Sequence, residues 1–124
     1  MTAVEIVALV VGGALGAGAR YVVDGLIMRG RTGVFPLGIL VVNIVGSFLL
    51  GVLTGLPGLP HAWLMIGGTG VLGGFTTLST VMVETILLAQ RRRRDWAWMN
   101  LLGTFVVCLI AAALGVLIGG LFPR

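Results

Sequence analysis

The chain has no lysine, and its 124 residues include only one histidine, one cysteine and four acidic side chains. Each shortage closes a class of function. The lone cysteine, Cys108, permits neither an intrachain disulfide nor a cysteine metal site, and His61, in a Pro/Gly loop, has no metal-ligand companion. With no Ser/His/Asp arrangement in a common loop and no phosphate-binding loop, an enzyme is not expected. Charged residues make up 10% of the chain, against about a quarter in soluble proteins. Mean hydropathy is +1.15. Small domains bury only ~60–70% of their surface, so an oversized core cannot account for this apolar excess, and most of the chain is expected in lipid. No basic region precedes the first apolar stretch, which is therefore expected to stay in the fold and not to be cleaved as a signal.

What is abundant is apolar length and glycine. A spanning helix needs about 20 mostly apolar residues, and four stretches qualify: Val4 to about Met28, Pro36 to Leu56, Trp63 to Gln90, and Trp96 to Leu121. The expected fold is all-α, a single four-helix transmembrane domain over residues 1–124. Connections at 29–33, 57–61 and 91–95 carry the Gly/Pro or charge content that ends a helix, making sequence neighbours into helical hairpins. Trp63, Trp96 and Trp98 fall at span ends, where indoles prefer the headgroup level. The 21 glycines are spread through the apolar stretches, which implies close helix packing.

The third span is unusual, reading Gly67-Gly68-Thr69-Gly70-Val71-Leu72-Gly73-Gly74-Phe75-Thr76-Thr77-Leu78-Ser79-Thr80 at its middle. Glycine costs about 1 kcal/mol relative to alanine in a helix interior, and neighbouring glycine and threonine are expected to let the backbone break and free carbonyls. Non-helical backbone at that depth is tolerated where it is buried in protein or lines a wet cavity. Orientation follows from arginine: Arg29, Arg31 and Arg91 to Arg94 make six on one side, against Arg124 alone on the other. The positive-inside rule then puts both arginine loops in the cytoplasm and both termini outside a cell membrane. Phospholipid headgroups are the default partner of Arg91 to Arg94.

Several polar residues sit within the spans. Arg20 lies deep in the first, where insertion costs about 2.5–3.5 kcal/mol at a helix centre; it faces protein or water, or snorkels, and Asp24 shares its face. Asn43 and Ser47 share a face of the second span, suited either to interhelical hydrogen bonds or to a polar path. Asn100, Thr104 and Cys108 recur every four residues, a stripe able to line part of a narrow pathway. Glu84 is the only acid well inside the third span, and proton coupling and structural pairing both remain open for it.

Three of these segments together resemble a known family. Gly12-Gly13-Ala14-Leu15-Gly16-Ala17-Gly18-Ala19-Arg20-Tyr21, then Pro36-Leu37-Gly38 with Asn43-Ile44-Val45-Gly46-Ser47-Phe48, then Gly73-Gly74-Phe75-Thr76-Thr77-Leu78-Ser79-Thr80 followed by Glu84, look like the signatures of the CrcB/Fluc fluoride channels. The likeness covers essentially the whole chain, one motif per span in order. It implies an antiparallel, dual-topology-type dimer that passes fluoride down its gradient through two narrow pores, with a structural sodium ion held by backbone carbonyls of Gly73 and Thr76. It also implies a pore lined by Asn43, Ser47, Thr77, Ser79, Thr80, Asn100, Thr104 and Cys108, with Arg20 drawing anions to the vestibule.

One departure stands out. The family's third-helix phenylalanines, whose positively polarised ring edges contact fluoride, are replaced here by Leu78 and Val81, and Phe75 matches neither position. Together with the six-to-one arginine bias, this leads to the expectation of a heterodimer, with a homologous partner of opposite orientation supplying the aromatics; a homodimer is the alternative. Two other classes share the four-helix plan. Small multidrug-resistance-type exporters depend on an acid in the middle of the first helix, where this chain has none, and a non-conducting assembly subunit needs neither a broken third helix nor a polar stripe.

Overall fold

The computed structural model describes residues 1–31 and 35–123. Thr32 and Gly33 of the first connection, and Arg124 of the orientation count, lie outside the described residues. Helix α1 (Ala3–Ile27) starts at a reciprocal cap, with the Glu5 N–H donating to Thr2 Oγ1 at 3.1 Å and the Thr2 N–H to Glu5 Oε2 at 2.9 Å. Two amides that a helix start leaves without partners are thereby satisfied. Helix α2 (Leu37–Gly55) follows Pro36 and ends before Gly58, which turns the chain at φ +74°. Helices α3 (His61–Gln90) and α4 (Arg94–Gly120) complete a set of four, each long and apolar enough to cross a membrane, and the described residues form no strand. Both α3 and α4 begin two residues earlier than Trp63 and Trp96 suggest, the usual uncertainty at helix ends.

The closest pairs are not the sequence neighbours that short connections lead one to expect. α2 packs most extensively on α4, and α1 on the first half of α3. Glycine decides this. Gly51 and Gly55 meet Gly115 and Gly119 so closely that a Cβ on Gly55 would strike the Val116 carbonyl, and one on Gly115 the Phe48 carbonyl. α1 sits as tightly on α3, with Gly16 against the Val71 carbonyl and Gly74 against that of Gly13. In lipid no hydrophobic force pulls helices together, so backbone approach of this kind supplies the van der Waals contact that does. Among the described residues only Val42 and Asn100 are large side chains almost wholly buried, while Leu15, Leu26, Phe105 and Leu117 point outward.

The third helix is broken as expected, over a shorter stretch than its run of glycines and threonines. Residues 61–75 stay helical, with a π-helical stretch over Met65–Leu72, and the chain opens only at 76–78 before Ser79–Gln90 resumes. Threonine, not glycine, makes the break. Thr76 is extended (φ −81°, ψ 158°) with its Oγ1 donating to the Leu72 carbonyl at 3.0 Å, and Thr77 Oγ1 accepts from the Thr80 N–H at 3.2 Å. Such hydroxyls compete with the helical ladder for backbone partners. Beside the break, α4 carries its own π-helical turn at Met99–Gly103, a local widening that recurs at functional sites.

Candidate functional site

The break is held from α2 by one side chain. Asn43 Nδ2 donates to the Thr77 carbonyl at 2.9 Å, and Asn43 Oδ1 accepts from the Thr77 N–H at 2.8 Å. Its amide thus pairs with Thr77 on both edges, which fixes Asn43 and the break as one unit. Two carbonyls lose their usual donors as a result. In an uninterrupted helix the Gly73 carbonyl would accept from the Thr77 N–H and the Thr76 carbonyl from the Thr80 N–H; these N–H groups turn instead to Asn43 Oδ1 and Thr77 Oγ1. Neutral carbonyl oxygens are what a hard cation takes, so Gly73 fits the sodium expectation, whereas the Thr76 oxygen fits it only as an acceptor shared with the Arg20 guanidinium, 3.5 Å away.

A cavity of about 710 Å³ opens beside the break, between α2, α3 and α4. It brings together Asn43, Ser47, Gly73, Thr76, Thr77, Thr104 and Cys108, along with both departed aromatic positions, Leu78 and Val81. The cavity's other walls, among them Met82, Leu101 and Phe105, are apolar; nothing in their sequence context distinguishes them from lipid-facing residues. Thr104 is only 8% exposed, and its Oγ1 has no hydrogen-bond partner among the described residues. Leaving a buried hydroxyl unpaired costs about 1–3 kcal/mol, so this one is poised for a ligand or water. A smaller space of about 270 Å³ is bordered by Gly46, Ser47, Gly73 and Thr76, the last three shared with the larger cavity.

Other expected site residues lie elsewhere. Asn100 is 1% exposed and is absent from the cavity wall: its Nδ2 donates to Thr85 Oγ1 at 2.9 Å and to the Val81 carbonyl at 3.3 Å. The polar stripe therefore divides, with Thr104 and Cys108 facing the cavity and Asn100 tying α4 to α3. Its partner Thr85 carries no sequence signal beyond being a hydroxyl in an apolar helix. Ser79 is exposed, and Thr80 turns back to Thr77. Arg20 forms no ion pair with Asp24; its Nη1 reaches the Thr76 carbonyl at 3.5 Å, and the only ion pair among the described residues is Arg93 with Asp95 at 3.3 Å. Glu84 is half-buried and likewise outside any ion pair within the described residues. Leu78 is 69% exposed at the cavity edge, whereas Val81 is 3% exposed.

Comparison with known proteins places this arrangement. The chain is 45% identical over 125 residues to "Fluoride-specific ion channel FluC 1" of Leifsonia xyli subsp. xyli (strain CTCB07), covering 98% of this chain and 90% of that one. It is 40% identical to "Fluoride-specific ion channel FluC" of Opitutus terrae (strain DSM 11246 / JCM 15787 / PB90-1), over 86% of each chain. Identity is 32% to "Fluoride-specific ion channel FluC 2" of Bacillus thuringiensis subsp. konkukian (strain 97-27), over 95% of this chain and 99% of that one. Residues 7–116, which include the capped break and every polar wall of the cavity, match the family described as CrcB-like protein, Camphor Resistance (CrcB), and the chain belongs to that family.

Proposed function

We propose that this chain is a subunit of a fluoride-selective channel that lowers cytoplasmic fluoride by passive export across the cell membrane. The observation that carries the reading is that Thr104, whose buried hydroxyl has no partner among the described residues, lines the same cavity as Asn43, Ser47 and Cys108. These are neutral polar groups. Hydroxyl and amide donors replace part of an anion's hydration without a fixed charge that would trap it, as conduction through successive weak sites requires. Asn43 uses one amide hydrogen on Thr77 and has a second to offer. The relatives named as fluoride channels support this choice of ion.

A sodium ion bound by the carbonyls of Gly73 and Thr76 would tie the breaks of two subunits together as a structural element, not as transported cargo. The chain's own part is to turn the helical N–H donors away from those carbonyls, through Asn43 and Thr77, and the Thr76 oxygen would be shared with Arg20. The partner in this reading is a homologous subunit of opposite orientation. Six arginines on one side against one on the other favour a single orientation, and Phe35 stacks edge-on against Trp96 with centroids 6.0 Å apart, holding the first and third connections at one end. Both termini are then extracytoplasmic. The partner would supply the aromatics absent at Leu78 and Val81, the first of which is exposed enough to be reached.

Reconstitution in liposomes with a fluoride-efflux assay tests the function. Fluoride loss without a proton gradient is expected when both subunits are present. Proton-coupled export of an organic cation would point to an exporter, and no flux to an assembly subunit.

A further inference from the structure

At the arginine end of the bundle a third space, about 360 Å³, lies where the last turns of α3 meet the first of α4. Its walls are Thr85, Ala89, Ala97, Trp98 and Leu101, with Arg94 beside them. The two alanines leave a slot that longer side chains would close. Thr85 is already bonded, donating to the Val81 carbonyl at 2.7 Å and accepting from Asn100 Nδ2 at 2.9 Å. The interior therefore offers water few partners, and dry apolar space of this kind suits hydrocarbon.

Charge at the mouth is the second feature. Arg93 is engaged by Asp95 and by the face of Trp96, whose centroid is 3.6 Å from the guanidinium carbon. Arg94 is exposed and takes part in no ion pair among the described residues, and Arg91 and Arg92 stand next to it in the chain. Trp98, 62% exposed, is an indole at the span end, where headgroups lie.

We propose that this slot is a binding site for an anionic phospholipid, with an acyl chain between Ala89 and Ala97 and the phosphate on Arg94. A zwitterionic lipid carries a cationic group that the neighbouring arginines repel, whereas a net anionic headgroup is attracted by all of them. The site depends on the membrane-spanning fold and not on which ion the protein conducts.

Quenching of Trp98 by phospholipids brominated on the acyl chain tests this directly. The full chain is placed in phosphatidylcholine vesicles containing a minor fraction of brominated phosphatidylglycerol or, separately, brominated phosphatidylcholine, and the Trp98 signal is taken as the difference from Trp98→Phe. The anionic lipid is expected to associate about fivefold more strongly, the effect of one arginine near a membrane surface. Arg94→Gln should lower that ratio several-fold, and a ratio it leaves unchanged overturns the placing of the phosphate on Arg94. Ala89→Leu, at an exposed position, should fill the slot and reduce quenching by phosphatidylglycerol while leaving Arg94 and the helical circular dichroism intact. Equal quenching by both lipids overturns the proposal. So does a preference that survives Ala89→Leu, which would mean diffuse attraction alone, or quenching by neither lipid, which would mean that another subunit covers the slot.

Discussion

Asn43 illustrates how one polar side chain can serve both the backbone and a cavity. Replacing it with leucine removes two hydrogen bonds and leaves the Thr77 N–H and carbonyl without their partner; each buried group left unpaired costs about 1–3 kcal/mol. Asn43→Leu is expected to lower the thermal midpoint in detergent as well as fluoride flux. A variant with normal stability and normal flux would remove Asn43 from both roles. The two departed aromatic positions should also behave differently. Val81 is 3% exposed but borders the cavity, so Val81→Phe overpacks the site only as far as its ring cannot enter that space, with a loss of at most about 1–3 kcal/mol. Leu78 is 69% exposed, and Leu78→Phe should leave stability unchanged within a few tenths of a kcal/mol, the usual size of a surface substitution. Parallel thermal melts of the two variants check the contrast.

At the scale of elements, the α2–α4 crossing is where a single added methyl group matters most. A Cβ on Gly115 meets the Phe48 carbonyl, a backbone atom that cannot rotate away, while one on Gly18 of α1 meets nothing within 4 Å among the described residues. Gly115→Ala should therefore separate the helices and destabilise the fold, whereas Gly18→Ala should gain roughly the 0.5–1 kcal/mol by which alanine exceeds glycine in a helix. Both are read from unfolding in a mixed-detergent titration; equal effects would mean that contact distance does not control the crossing. The same reasoning explains the third helix. Gly74 is needed against α1 and remains helical, and it is the threonines after it that interrupt the ladder.

For the whole molecule, orientation rests on arginine placed at one end. Replacing Arg91, Arg92 and Arg94 with glutamine, while keeping Arg93 on Trp96 and Asp95, leaves three arginines in the connections of that end against one at the C-terminus. The variant should insert in both orientations, and its antiparallel self-pairing should rise. Reporter fusions to the C-terminus measure the first effect and chemical cross-linking the second. If the original chain, expressed alone, already forms a stable antiparallel dimer with full fluoride flux, the heterodimer proposal fails.

The number of helices and the positions of their ends follow from the sequence, because hydropathy and Gly/Pro punctuation are local properties read one segment at a time. The candidate break was legible for the same reason: glycine and threonine in a long apolar run violate the local rule for a helix. Tertiary structure decided what those residues do. Asn43, Thr104, Cys108 and Asn100 look alike in sequence, each a polar group in an apolar helix. Only packing set Asn100 against Thr85, left the Thr104 hydroxyl without a partner among the described residues and fastened Asn43 to Thr77. The pairing of α2 with α4 was likewise outside the reach of local pattern, since it depends on residues more than 60 positions apart meeting across the bundle, as Gly115 does with Gly51 and Phe48.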